Sequence, residues 1–108
     1  MNRVFTQKEL GNYLADNPLN VAVHVGDLDN MNGNDYIFLD YLYDRLIPFD
    51  DNGCYKTSIQ ISVYVKDFIS RKILVDYIKQ LSPFSINYSS SNEGNYFVAN
   101  MTTDIFLK

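Results

Sequence analysis

The chain has 108 residues, the size of one ordinary domain, and its net charge is −4. Its nine basic residues are scattered rather than clustered, which argues against a protein whose main task is to grip nucleic-acid phosphates. A single cysteine excludes an internal disulfide, and no apolar run approaches the roughly 20 residues that span a bilayer. We therefore expect one soluble domain over residues 1–108.

The first predicted element is a helix with a complete start signal. Thr6 is the expected N-cap, and Glu9 three residues later completes a capping box. Phe5 and Leu10 can add a hydrophobic staple across the first turn. The helix is predicted to end at Asn17-Pro18, because a proline disfavours the helical conformation in the residue before it.

A short strand and a polar loop follow this helix. Val21–Val25 is rich in β-branched residues and predicts the strand. The loop Gly26–Asp35 is acidic, but it fails as a calcium-binding EF-hand loop, because Met31 and Phe38 replace the fifth and twelfth residues of that motif. We expect a solvated loop with three candidate exposed acidic residues: Asp27, Asp29 and Asp35.

The longest feature is a hairpin that runs directly into a second helix. An extended segment, Tyr36–Phe49, reaches the turn Asp50–Gly53, and Tyr55–Lys66 returns with regular alternation of apolar and polar residues. Asp67 is the expected N-cap of the helix, which is predicted to end at Pro83. Helical spacing predicts its buried face from six residues: Ile69, Ile73, Leu74, Tyr77, Ile78 and Leu81.

The first strand of the hairpin carries apolar residues on both faces. Ile37 and Leu39 lie on one face, and Tyr36 and Phe38 lie on the other. A strand with one solvated face would alternate instead. We therefore expect either a helix or another subunit to cover the second face.

Two further strands complete the fold. Phe84–Ser89 and Tyr96–Leu107 are extended and are separated by a Ser/Asn/Gly turn. The predicted class is α+β, a mainly antiparallel sheet of about five strands with two helices packed on it, in the order α-β-β-β-α-β-β.

The candidate reactive residues are few. His24 is the only histidine and sits within an apolar strand, so we interpret it as structural. It and Cys54 cannot supply the several ligands that zinc needs. We interpret Asp50-Asp51 as residues that favour the turn rather than as a catalytic acid/base pair, because a hairpin tip is solvated. We expect no catalytic residues, no metal site and no cofactor.

Nine tyrosines are many for this length, and tyrosine is enriched at protein interfaces. Core packing explains any one of them, but a group of them falls on the hairpin, on both of its strands. With the apolar residues beside them and the hairpin tip, they are the candidate subunit or partner interface: Tyr36, Phe38, Leu39, Tyr41, Tyr43, Asp50, Asp51, Asn52, Tyr55 and Tyr64.

The arrangement resembles the tail terminator proteins of long-tailed bacteriophages, also called tail completion or minor capsid proteins. The resemblance rests on the capped start Phe5–Leu10, the short strand Val21–Val25 and the alternating block Thr57–Asp67, which leads directly into the second helix. The helix and the closing strand pair complete the pattern, which covers nearly the whole chain.

The resemblance implies a non-enzymatic virion protein of the tail or neck, assembled in the host cytoplasm. Such a protein forms a hexameric ring that caps the tail tube, stops its polymerisation and joins the head connector. DNA passes through the ring without tight binding, and no membrane is involved. A different small head–tail adaptor or head-completion factor, or an inhibitor that binds a host protein, is the alternative.

Overall fold

The computed structural model describes residues 4–26, 34–41, 47–48, 55–90 and 96–107. Two helices alternate with strands in the predicted α+β order, so the fold class is confirmed. The short strand β1 at the start was not predicted, whereas β3 and β4 both lie within the extended segment predicted at Tyr36–Phe49. The elements are β1 (Val4–Phe5), α1 (Gln7–Ala15), β2 (Ala22–Val25), β3 (Tyr36–Tyr41), β4 (Ile47–Pro48), β5 (Tyr55–Val65), α2 (Phe68–Ile78), β6 (Ser85–Ser90) and β7 (Phe97–Leu107).

All seven of these strands belong to one mixed sheet with the path β1-β7-β5-β3-β2. β4 pairs with β5, and β6 pairs with β7. The pairs β1/β7 and β2/β3 are parallel, and the other four pairs are antiparallel. β5 is the central strand, where Ile61 lies opposite both Leu39 of β3 and Met101 of β7.

The core lies between this sheet and the two helices. The alternation predicted for β5 places every second residue on the helix side, because successive side chains of a strand point to opposite faces. Four apolar residues of β5 are completely buried there: Ile59, Ile61, Val63 and Val65. Leu10 and Leu14 of α1 join the same apolar cluster, as do residues of α2. One face of the sheet is thus covered by both helices, and we call the opposite face the far face.

The buried face of α2 and the turn after it differs from the predicted one. Four residues are buried: Leu74, Val75, Ile78 and Leu81. Val75 was not among the predicted residues, whereas Ile69 and Ile73 are 64% and 38% exposed, so their assignment to the core is wrong. The helix offers two overlapping apolar stripes, and the one that includes positions 74, 75 and 78 packs on the sheet, with the usual three- and four-residue spacing.

The predicted N-caps occupy their expected positions. The Thr6 hydroxyl accepts a hydrogen bond from the backbone N–H of Glu9 at 3.0 Å and donates one to the Glu9 carboxylate at 3.2 Å. The Asp67 carboxylate accepts from the Ser70 hydroxyl at 3.2 Å rather than from a backbone N–H. The Phe5 side chain of the predicted staple lies outside the described residues.

A pair of tyrosines joins the two helices. The rings of Tyr13 and Tyr77 stack with their centroids 4.4 Å apart. Each hydroxyl donates to the backbone carbonyl of the other residue, at 2.8 Å from Tyr13 and 2.7 Å from Tyr77. These reciprocal bonds fix α1 against α2, so Tyr77 is part of the packed side of its helix through contact with the other helix.

The end of α1 is organised by a buried amide. Asn17 is 2% exposed, and its Nδ2 donates to the carbonyls of Leu14 and Val21, both at 2.9 Å. Its Oδ1 accepts from the backbone N–H groups of Leu19 and Val21, at 3.2 and 2.9 Å. Asn17 therefore satisfies four backbone groups in the turn that leads into β2.

Replacing Asn17 by alanine should destabilise the fold. The change leaves up to four backbone groups without these partners, and we expect a loss of about 2–4 kcal/mol in the free energy of unfolding. Urea denaturation followed by circular dichroism measures it. Asn12→Ala is the matched control, because Asn12 is exposed on α1 and alanine favours a helix. A loss of equal size in both variants would contradict this role of Asn17.

Candidate interaction surfaces

The far face of the sheet carries a cluster of three tyrosines, Tyr36, Tyr64 and Tyr96, which we call the tyrosine cluster. The Tyr36 and Tyr64 rings stack with centroids 4.6 Å apart, because the two residues are opposite one another in the β3/β5 register. Tyr96 meets both rings edge-on, at 5.8 and 5.9 Å. Its hydroxyl donates to the Asn34 carbonyl at 2.8 Å.

The tyrosine cluster covers the second apolar face of β3 from within the chain. Tyr36 and Tyr96 are 7% and 8% exposed, and Val98 and Phe38 pack with them. His24 adds an edge-on contact to Tyr36 at 6.2 Å, which agrees with a structural role. Both described helices pack on the opposite face, so the alternative that a helix covers this face is wrong, and aromatic side chains of adjacent strands shield Tyr36 instead. Cover of the partly exposed Phe38 and Tyr64 by another subunit stays a prediction.

Some of the predicted interface residues are buried within the chain. Leu39 is 1% exposed and lies in the helix-side core, and Tyr36 is buried on the far face, so neither presents a surface to a partner. Tyr41 packs on the helix-side core, whereas Tyr64 lies on the far face, so the hairpin tyrosines do not form one patch. Phe38 and Tyr64 are partly exposed on the far face.

Several predicted residues lie outside the described part of the chain. These are the loop residues Asp27 and Asp29, the hairpin residues Tyr43, Asp50, Asp51 and Asn52, Cys54, and the side chain of Tyr55. Asp35 is described and half-buried, and its carboxylate accepts from the Lys66 backbone N–H at 3.2 Å.

Ionisation of the buried tyrosines should destabilise the fold at alkaline pH. Burial raises the pKa of Tyr36, and the nearby Tyr64 and Tyr96 raise it further. Burial also raises the pKa values of Tyr41, Tyr77 and Tyr96. A raised pKa means that the folded state favours the neutral phenol over the ionised one. The contribution of these tyrosines to the free energy of unfolding is therefore fully present below the ordinary tyrosine pKa of about 10, and it is lost as pH rises through the raised values.

Urea denaturation at pH 8, 9, 10 and 11 tests this expectation. The midpoint should hold between pH 8 and 9 and fall from pH 10 upward, while absorbance at 295 nm follows phenol ionisation. Tyr36→Phe removes one such titration, so its midpoint should fall less steeply than that of the wild type. An unchanged midpoint through pH 11 would contradict the burial of these hydroxyl groups.

Beside the tyrosine cluster, polar side chains join β5 to β7. The Ser62 hydroxyl donates to the Asn100 side-chain oxygen at 2.8 Å, and Gln60 Nε2 donates to the Ser62 hydroxyl at 3.1 Å. Ser58 donates to the Asp104 carboxylate. These contacts hold two central strands together, and we assign this row a structural role.

A second surface lies between α2 and β6, and the sequence pattern did not predict it. A groove of about 440 Å³ runs between the exposed side of the helix and Tyr88. We call it the α2–β6 groove. The Arg71 guanidinium lies among three aromatic rings in this region. Its central carbon is 5.1, 4.8 and 5.5 Å from the ring centroids of Phe68, Tyr88 and Phe97, respectively.

Two backbone carbonyls also orient Arg71. Its Nη1 donates to the carbonyls of Ser89 and Val98, at 3.2 and 3.3 Å. Within the described residues no carboxylate pairs with it. The guanidinium is therefore oriented by rings and carbonyls, while no described carboxylate compensates its positive charge.

The other charged residues of the groove add to this positive character. The Asp76 carboxylate accepts from Lys72 at 3.0 Å and is 3.1 Å from the Lys79 ammonium. The hydrogen bond from Lys72, followed by that from Lys79, lowers the pKa of Asp76. One carboxylate thus faces three cations, in a chain whose net charge is −4.

The rim of the α2–β6 groove is apolar and exposed. Two of the residues that line it, Phe68 and Tyr88, are each more than half exposed. Aromatic residues and arginine are both enriched at protein-binding surfaces, and the groove brings them together. The sequence held one signal of this surface, because helical spacing left the large aromatic residue Phe68 outside the predicted buried face.

Among the residues that the structure describes, no group of three or more histidine, cysteine, aspartate or glutamate side chains is placed to hold a metal ion. No described helix is long and apolar enough to cross a membrane. The sequence matches no protein-family model, and it matches no curated protein at a significant level.

Proposed function

We propose that this chain is a structural virion-assembly protein of a long-tailed bacteriophage, similar to the tail terminators. In this proposal its copies form a ring that caps the tail tube, stops tube polymerisation and joins the head connector. The protein acts without catalysis or a cofactor, in the tail or neck of the virion, after assembly in the host cytoplasm.

The observation that carries the proposal is the order and continuity of the elements. β5 extends for 11 residues and leads through Lys66 and Asp67 into α2, and the β6/β7 pair then closes the sheet. A capped helix and a short strand precede the hairpin. This is the pattern on which the resemblance to tail terminators rests.

Two physical properties agree with this role. The α2–β6 groove combines exposed aromatic residues with an arginine that contacts them, as surfaces that bind other proteins do. The net charge of −4 suits a ring through which DNA passes, because an acidic lumen repels phosphates and so disfavours tight binding.

Size-exclusion chromatography with light scattering tests the proposal. The purified chain at high concentration should elute with the mass of a hexamer, or with a larger mass once it is mixed with the tail-tube protein of the same virus, and negative-stain images should show rings. A chain that stays monomeric under both conditions would overturn the ring. A monomer that instead binds a head protein or a host protein would favour an adaptor or an inhibitor.

A further inference from the structure

Both outer edges of the sheet are unpaired in the described part of the chain. β2 forms one edge, and β6 lies on the other, paired only with β7. Proteins commonly protect such edges with proline, lysine or other charged residues. β2 has the sequence Ala-Val-His-Val and β6 has Ser-Ile-Asn-Tyr-Ser-Ser, so neither carries this protection.

The strand directions allow these two edges to pair with each other in different copies. β3 and β7 both run antiparallel to β5, β2 runs parallel to β3, and β6 runs antiparallel to β7. β2 and β6 therefore point in opposite directions. Placed side by side, two copies in the same orientation would continue the sheet with an antiparallel pair.

The exposed apolar side chains of the two edges lie on the same face of the sheet. Val25 is opposite Leu39 in the β2/β3 register and therefore points to the helix side, where it is 56% exposed. Tyr88 is opposite Ala99, which also faces the helices, and it is 57% exposed. A junction between the edges would place both side chains beside the α2–β6 groove.

The charge of the α2–β6 groove limits which edge can dock on it. The α2–β6 groove presents Arg71 without a carboxylate partner among the described residues, together with two lysines that share one aspartate. The described residues of β2 include no lysine or arginine, so this edge does not repel the groove. Two copies of the cationic groove would repel one another, which disfavours a contact between two β6 edges.

We infer that the β2 edge of one copy docks on the β6 edge and the α2–β6 groove of a second copy. This contact joins two different patches, so it is heterologous and can close into a ring. The inference rests on the proposed function, because it supplies the contact between subunits of the proposed ring.

A matched pair of substitutions at Val25 tests the inference. Val25→Lys places a cation against the cationic groove and should raise the concentration for half-assembly at least about tenfold. Val25→Glu has the same loss of apolar surface but the opposite charge, so it should assemble more readily than Val25→Lys. Light scattering over a concentration series measures both, and circular dichroism shows whether each variant folds.

A substitution on the other edge makes the test reciprocal. Tyr88→Glu alone should weaken assembly, because it replaces an exposed ring of the β6 edge by a carboxylate that the apolar Val25 of the other copy cannot pair with. An equimolar mixture with Val25→Lys should recover assembly, because the lysine introduced in one variant then meets the glutamate introduced in the other. In a ring of alternating variants, every second contact is that new ion pair and the rest are native. Failure of the mixture to recover, with both variants folded, would overturn the pairing of these edges.

The outcomes separate this inference from the proposed function. If the wild type assembles and Val25→Lys assembles equally well, the edge contact is wrong and the ring proposal stands. If the wild type never assembles, both fail. Hydrogen exchange of the β6 amides gives a further readout: protection that appears only when the tail-tube protein is added would assign the groove to that protein and overturn the inference.

Discussion

Leu39→Asp should abolish folding of the chain. Leu39 is 1% exposed and lies opposite Ile61 at the centre of the helix-side core, so the substitution buries a carboxylate among apolar side chains. The expected cost is at least about 5 kcal/mol, comparable with the whole stability of a small domain. Circular dichroism and soluble yield measure the result.

Ile69→Asp is the matched control for this prediction. Ile69 is 64% exposed on the first turn of α2, where a carboxylate also interacts favourably with the helix dipole. We expect this variant to fold with nearly wild-type stability. A Leu39→Asp variant that melts with the same cooperative transition as Ile69→Asp would contradict the position of Leu39 in the core.

Tyr36→Ala should cost about 3–5 kcal/mol, because it removes a large buried ring. Removal of the Tyr36 ring would also expose the face of Tyr64 that stacks on it and would remove the edge-on contact with Tyr96. Urea denaturation measures the change. Tyr88→Ala serves as the control, since Tyr88 is 57% exposed, and it should lose less than about 1 kcal/mol.

The same measurement distinguishes two ways of covering the far face. If the tyrosine cluster shields β3 within one chain, the unfolding midpoint of the wild type should not depend on protein concentration below the onset of assembly. A midpoint that rises with concentration in that range would instead indicate that a second chain covers Tyr36.

The parts of the fold that local rules determine were predictable from the sequence. The alternation in β5 identified Ile59, Ile61 and Val63 as residues of one buried face, because a strand places every second side chain on the same side. Thr6 and Asp67 were identified as N-caps, because the first turn of a helix leaves backbone N–H groups without partners.

The errors arose where packing between distant segments decides the outcome. Both stripes of α2 satisfy helical spacing, and only contact with the sheet selects the one with Val75 over the one with Ile69. Shielding of Tyr36 depends on Tyr96, which is far away in sequence and reaches Tyr36 through the β5/β7 register. The α2–β6 groove likewise joins residues that no short motif connects.

The proposed role as a tail terminator is tested most directly by the length of tail tubes. Purified tail-tube protein of the same virus is allowed to polymerise with and without this chain, and tube lengths are measured by electron microscopy. We expect the wild-type chain to give shorter tubes with a ring at one end, and Val25→Lys to shorten them much less. Tubes of unchanged length without terminal rings, at an excess of folded wild-type protein, would contradict the role.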